Sequence, residues 1–240
     1  MTCVIRAFGA CMIGGYPHRY EDSCFHLAVE RLRQETGHNL IPSIYTMGGF
    51  PVTRALKHLP ARCLAAKPDI VVVQFGPSDL VVPLRRHHHH HQDAAVKRQV
   101  STAHAGATDR LRWVVQGITG DLLRLSPVTP PEVYLETMRH IIRTVAGQPA
   151  IPVVLSPFVF GGHRSDRLAR TAIYHLRQIV SAIPGTYFVD AYAALNQHPR
   201  HRMLLKDGTH LSLAGQKVVG ECLRETLAEI LKAGKPTPVA

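Results

Sequence analysis

Short apolar runs alternate with longer amphipathic stretches along most of the chain. The apolar runs have the length and composition typical of strands, and they predict strands at 3–8, 40–47, 70–75, 151–156 and 186–189. The amphipathic stretches carry apolar residues at helical spacing, and they predict helices at 20–36, 53–66, 131–146, 166–182 and 211–232. Strand and helix alternating in this way indicates a single doubly wound α/β domain with a parallel sheet, spanning residues 1–240.

The predicted strand at 70–75 is apolar at nearly every position and rich in valine. A strand of this kind is buried on both faces, so it is predicted to lie in the middle of a parallel sheet that helices cover on both sides. Ligands bind such sheets beyond the carboxyl ends of the strands. The residues that follow predicted strands are therefore expected to converge at one edge, and they include Cys11, Gly48-Gly49, Ser78 and the loop 207–210.

The alternation is interrupted between residues 84 and 112. This stretch holds six lysines or arginines against two aspartates, together with six histidines, of which five are consecutive at 87–91. With few apolar residues, it predicts an exposed, basic, His-rich insertion. A short helix is expected to follow at 113–125.

Charge and composition narrow the possible settings. The formal net charge of +11 favours anionic partners, but by itself it does not choose among nucleic acid, a membrane surface and an acidic substrate. No run approaches the roughly 18 apolar residues of a membrane span, and the N-terminus lacks the pattern of a secretory signal. Five cysteines without CxxC spacing argue against a disulfide framework, so the predicted location is the cytoplasm.

The candidate chemistry lies near the C-terminus, in residues 206–212. Asp207 and His210 are three residues apart on a turn that contains Gly208, and such a turn can fix a carboxylate beside an imidazole. The pair forms a general base only if a nucleophile reaches it from elsewhere in the chain, and the best candidate is Cys11. Alternatively, Cys11 is a small buried residue at a strand end, and Asp207 and His210 merely cap the closing helix.

Four short segments resemble motifs of the SGNH or GDSL-like hydrolase family, and they follow one another in the family's order. They contain Cys11, Gly48-Gly49, Ser78 and His210. Residues 207–215 look like the family's D-G-x-H-x-x-x-x-G, and residues 68–79 look like its P-D-x-V-x-x-x-x-G-x-N-D. The resemblance implies a flavodoxin-like three-layer α/β/α sandwich with a five-stranded, mostly parallel sheet. It also implies that His210 is the catalytic base and that Asp207 orients it.

This sequence departs from the family at two positions. Gly9-Ala10-Cys11 stands where the family has Gly-Asp-Ser, and Ser78 stands where it has the asparagine that stabilises the oxyanion. A thiol paired with His210 is a competent nucleophile. The resemblance therefore implies an esterase, thioesterase or acyltransferase with a Cys-His-Asp triad, whose oxyanion hole holds Gly49 or Gly48, with Gly49 preferred, and Ser78.

Other functions remain open at this level. The same departures fit a catalytically decayed member of the family that binds a small acyl or anionic ligand. The consecutive histidines lack the spacers and supporting partners of a metal site, so no metal is expected. No dinucleotide fingerprint or nucleic-acid-binding module is present, so neither a cofactor nor nucleic acid is expected. The basic insertion is interpreted as a lid over the active site that recruits an anionic carrier or a small acyl substrate, or as an anion-binding surface.

Overall fold

The computed structural model describes residues 2–80, 106–122, 126–158 and 163–234. Five strands form one sheet in the order β2-β1-β3-β4-β5, and every neighbouring pair is parallel. The strands are β1 (Thr2–Gly9), β2 (Asn39–Thr46), β3 (Ile70–Gln74), β4 (Ile151–Leu155) and β5 (Tyr187–Val189). The predicted α/β/α sandwich is confirmed, and its sheet is entirely parallel.

Helices cover both faces of the sheet. They are α1 (Cys24–Thr36), α2 (Val52–His58), α3 (Pro77–Leu80), α4 (Ala107–Leu122), α5 (Pro131–Ala146), α6 (His163–Ser181), α7 (Ala191–Asn196), α8 (Arg200–Met203) and α9 (Leu213–Ala233). One core cluster joins α1, α7 and α9 to the sheet, and the other joins α2, α5 and most of the buried face of α6.

Strand β3 occupies the central position predicted for it. All five of its residues are buried, and its side chains alternate between the two cores. Ile70 and Val72 face the α1/α9 layer, whereas Val71 and Val73 face the α2/α5 layer. Because β1 and β3 pair in parallel, with Gly9 opposite Gln74, the loops after both strands leave from the same edge.

Several predicted helix boundaries were wrong, each for a local reason. Helix α1 begins at Cys24 rather than at residue 20, because the Ser23 hydroxyl caps it by accepting from the amide of His26 at 3.1 Å. The predicted helix 53–66 ends as a regular α-helix at His58, and Pro60 lies in the following π-helical turn. A proline cannot donate the hydrogen bond that would continue the α-helix.

Helix α4 corrects the predicted end of the basic insertion. It begins at Ala107, so residues 107–112 are helical and do not belong to an irregular loop. The remainder of the insertion, including the consecutive histidines at 87–91, lies outside the described residues. Within the ranges that the structure describes, no helix is long and apolar enough to cross a membrane.

Candidate active site

Cys11 lies at the carboxyl edge of the sheet, two residues after β1 ends. The amide of Ala10 donates to the Gln74 carbonyl at 2.8 Å, which ties the chain leaving β1 to the end of β3. Cys11 is then the first residue of a one-turn 3₁₀ helix, Cys11–Gly14, and it is half-buried. The thiol is therefore held on a fixed backbone while remaining accessible from one side.

A tight turn fixes Asp207 and His210. Gly208 has a φ of 70°, a backbone conformation that favours glycine. The Oδ1 atom of Asp207 accepts from the amides of Thr209 and His210, both at 2.9 Å. The other carboxylate oxygen, Oδ2, lies 2.6 Å from Nδ1 of His210, so this carboxylate holds both the turn and the imidazole.

The turn is closed by backbone pairing on either side of it. Leu204 and Leu211 form an antiparallel bridge, and the amide of Leu205 donates to the His210 carbonyl at 2.9 Å. Ser212 then caps α9, because its hydroxyl accepts from the amide of Gly215 at 3.1 Å. His210 is thereby anchored to the long closing helix.

Gly215 is required by close packing. A Cβ atom at this position would lie 2.4 Å from the Met203 carbonyl oxygen, in the segment that leads into the turn. Glycine in a helix is ordinarily worse than alanine by about 1 kcal/mol, but here the contact with backbone reverses the preference. The glycine of the D-G-x-H-x-x-x-x-G pattern therefore lets α9 pack against the segment that holds His210.

We expect Gly215→Ala to destabilise the protein by about 1–3 kcal/mol, because the added methyl group must displace backbone. Its effect on activity should exceed what the lost stability explains, since the displaced segment carries His210. The measurement is the free energy of unfolding in urea together with kcat/KM. Gly147→Ala is the control, because its Cβ would approach no atom more closely than 3.4 Å at a φ of −76°. Equal stability of the two variants would contradict the packing argument.

The thiol of Cys11 contacts the imidazole of His210, although the two residues are 199 positions apart in the sequence. The Sγ atom of Cys11 lies 3.6 Å from Nε2 of His210, and Nδ1 of the same ring faces Asp207. The side chain of His210 is 15% exposed and that of Asp207 is 31% exposed. A continuous line of contacts thus runs from sulfur through imidazole to carboxylate, with partial access for solvent and substrate.

The charges in this line reinforce one another. Burial lowers the pKa of His210, but hydrogen bonds and charge from Asp207 and Cys11 outweigh it and raise the pKa to about 9. Burial raises the pKa of Asp207, but hydrogen bonds from His210 and Thr209 lower it by more. The pKa of this carboxylate therefore falls below its ordinary value. At neutral pH the ring is therefore an imidazolium that donates from Nδ1 to the carboxylate and from Nε2 to the sulfur.

Two residues near His210 were missed by the sequence analysis. The ring of Tyr16 stands edge-to-face against His210, with ring centroids 5.2 Å apart. Nε2 of His18 lies 3.1 Å from the carbonyl oxygen of Leu211, the next residue after His210. Both belong to the loop after the Cys11 helix, so this loop supports the imidazole from the side of Cys11. Nothing in the sequence connects these residues to a turn near the other end of the chain.

The two candidate backbone donors differ in their surroundings. Gly48 follows β2, and a Cβ atom built on it would lie 3.8 Å from the Cβ of Cys11. Gly49 has a φ of 71°, and a Cβ built there would meet nothing within 4 Å. The structure therefore brings Gly48 beside Cys11, whereas a Cβ atom on Gly49 would point into open space. The preference for Gly49 over Gly48 has no support in these contacts.

Ser78 lies in α3, directly beyond the end of β3, and is half-buried. Within the described part of the chain it forms no hydrogen bond with Cys11, His210 or Asp207. Its neighbour Asp79 is fully buried and was not singled out from the sequence. The Oδ1 atom of Asp79 accepts from the amide of Val52 and from the hydroxyl of Thr129, both at 2.8 Å. Asp79 therefore binds the loop after β3 to the start of α2, which follows the Gly48-Gly49 loop.

The likeness of this chain to known proteins lies in its fold. No protein-family model matches the sequence, and no curated protein matches it. Solved structures do match. A lipase/acylhydrolase from Enterococcus faecalis is 17% identical with a TM-score of 0.63, and the match covers 98% of each chain. The esterase EstA from Pseudoalteromonas sp. is 11% identical with a TM-score of 0.61, covering 95% of this chain and 98% of that one.

An acetylxylan esterase from Geobacillus stearothermophilus, solved as a catalytic mutant, is 15% identical with a TM-score of 0.63. That match covers 98% of this chain and 95% of the esterase. At these identities the likeness concerns the fold, and it extends over nearly the full length of both chains. The chain has the α/β fold of these lipases and esterases.

Proposed function

We propose that this protein is an SGNH-like hydrolase or acyltransferase that acts on esters or thioesters through a Cys-His-Asp triad and an acyl-enzyme intermediate. The observation that carries the proposal is the line of contacts from Cys11 Sγ to His210 Nε2, at 3.6 Å, and from His210 Nδ1 to Asp207 Oδ2, at 2.6 Å. A buried cysteine without a role needs no imidazole beside it, and a helix cap needs no contact with a distant thiol.

In the first step, the sulfur of Cys11, whose proton has passed to Nε2 of His210, attacks the acyl carbonyl carbon. A carbon–sulfur bond forms, and the carbonyl electron pair moves onto oxygen to give a tetrahedral oxyanion. When the oxyanion collapses, the bond to the alkoxide or thiolate leaving group breaks. The imidazolium of His210 gives that group its proton from Nε2, and the neutral imidazole remains.

In the second step, a water molecule attacks the thioester on Cys11. The neutral imidazole of His210 accepts a proton from the water, and the carbon–sulfur bond breaks to release a carboxylic acid and restore the starting pair. An alcohol or amine in place of water would receive the acyl group instead. Asp207 holds Nδ1 throughout and stabilises the imidazolium whenever it forms.

The oxyanion needs donors on the side of Cys11 away from His210. The backbone amides of Cys11 and Gly48 are the nearest candidates, because the Gly48 loop lies against the Cβ of Cys11. Ser78 would contribute a hydroxyl in place of the family's asparagine. In other enzymes, the removal of one oxyanion-hole donor costs roughly 3–4 kcal/mol of transition-state stabilisation. The identity of these donors therefore strongly affects the rate of acyl transfer.

A thiol nucleophile requires a reducing setting. All five cysteines are free thiols in the structure, which suits a reducing compartment such as the cytoplasm. The alternative, a decayed protein that only binds an acyl ligand, has the replaced serine and asparagine in its favour. It offers no reason for the charge arrangement that raises the pKa of His210 to about 9.

The test is direct observation of the acyl-enzyme. We expect p-nitrophenyl butyrate and a butyryl thioester to add one butyryl group to the intact protein, located on Cys11 by peptide mass spectrometry. Nitrophenol should appear in a burst whose amplitude matches the enzyme concentration if deacylation is the slower step. The same peptide should lose the group on treatment with neutral hydroxylamine, which cleaves thioesters.

The matched control is Cys222→Ala, which removes another half-buried thiol far along the chain. It should leave both the labelling of Cys11 and turnover unchanged. Labelling spread over several cysteines, or turnover with no acyl group on Cys11, would replace the proposed mechanism. Ligand retention with neither labelling nor turnover would favour the binding protein.

A further inference from the structure

Helix α4 exposes a continuous apolar stripe. Leu111 is 66% exposed, Val114 50%, Val115 53% and Ile118 48%. Elsewhere in the ranges that the structure describes, the large exposed apolar residues lie singly, and they are Tyr16, Ile41, Val133, Tyr174 and Leu213. Isolated residues of that kind are ordinary, whereas a contiguous patch marks an interaction surface.

The spacing of the four residues makes the stripe a single face. Positions 111, 114, 115 and 118 are related by three, four and seven residues, so they fall within an arc of roughly 100° on the helix. Helix α4 is 16 residues long and packs against α6. An amphipathic helix normally packs its apolar face against the core. In the part of the chain that the structure describes, the apolar face of α4 is exposed to solvent instead.

The charge of the protein favours one kind of partner for the stripe. The formal net charge is +11, so association with a second copy would bring two strongly positive bodies together. An anionic surface, by contrast, would be attracted over the whole molecule. Arg110 and Arg112 also flank Leu111 in the sequence. Lipid interfaces accept helices that combine an apolar face with basic neighbours.

We propose that α4 is an interfacial helix, which inserts the Leu111–Ile118 stripe into a lipid surface bearing anionic headgroups. The helix lies parallel to the surface, its apolar side chains enter the boundary between headgroups and acyl chains, and basic residues pair with headgroup phosphates. This inference rests on the stripe and the net charge. It does not depend on the proposed hydrolytic function.

The test is flotation of the full chain with vesicles of phosphatidylcholine alone and with vesicles that also contain phosphatidylglycerol. We expect binding to the anionic vesicles, weakened by salt, and little binding to neutral ones. Two variants divide the stripe, L111S/V114S and V115S/I118S. Each should lower the partition coefficient about tenfold or more, because two aliphatic side chains no longer transfer from water.

The matched control is I41S/V133S, which removes two similarly exposed aliphatic residues from other elements, at 44% and 40% exposure. Its partition coefficient should match that of the wild type, and Cys11→Ala should also bind normally, which separates this proposal from the catalytic one. Three outcomes would overturn it. They are no binding to either vesicle, binding unaffected by both stripe variants, and a wild-type dimer in light scattering that the stripe variants dissociate.

Discussion

Replacement of Cys11 by alanine is expected to lower kcat/KM for an ester substrate by about 10⁴-fold or more, since it removes the nucleophile and with it the acyl-enzyme. The fold should persist, because the side chain is only half-buried and packs at the margin of the core rather than within it. The measurement is the initial rate of hydrolysis at substrate concentrations well below KM, with thermal unfolding as the check on folding.

Cys11→Ser is the sharper companion variant. The hydrogen bond and charge of Cys11 both raise the pKa of His210 towards 9, so an uncharged hydroxyl should let that pKa fall. The serine then needs neutral His210 as a base. Its residual activity should therefore rise with pH through the lowered pKa, whereas wild-type kcat/KM should decline above about pH 9. Full activity of Cys11→Ala, or identical pH profiles for cysteine and serine, would contradict a nucleophilic thiol.

The convergence of distant segments could be predicted because parallel strands share one edge. A buried valine-rich run at 70–75 implied a central strand, and the loops after two adjacent parallel strands must leave from the same side. That geometry places the loops after the strands at one edge, and the resemblance to a hydrolase family then predicted that Cys11 lies near the C-terminal turn. The catalytic roles of Cys11, His210 and Asp207 stay a prediction until the variants are measured.

What the sequence could not supply depends on long-range packing. Asp79 connects the loop after β3 to Val52 and Thr129, partners that are 27 and 50 residues away. Tyr16 meets His210 only because the fold brings the two ends together. Helices α7 and α8 were missed because each is short, with no more than two turns to display a period. Local sequence patterns do not predict such contacts between residues that are far apart in the chain.

The removal of His210 should have an effect that depends on the leaving group. His210→Ala removes the proton donor, so hydrolysis of an ethyl ester should fall by about 10²–10⁴-fold. A p-nitrophenyl ester should lose less in the acylation step, because nitrophenolate departs without a proton. The rate of Cys11 alkylation by iodoacetamide at neutral pH should also fall, since the sulfur loses its contact with Nε2 of His210. The measurement is kcat/KM for the two esters side by side.

Asp207→Asn isolates the charge that acts on His210 and is the matched control for its removal. The amide oxygen can still accept from the Thr209 and His210 backbone amides, so the turn should hold. Loss of the carboxylate charge and its bond to Nδ1 lowers the pKa of His210 from about 9. Deprotonation then removes the imidazolium at lower pH, so the alkaline decline of kcat/KM should move to lower pH. An unmoved decline, together with equal losses for both esters in His210→Ala, would show that His210 does not donate the proton.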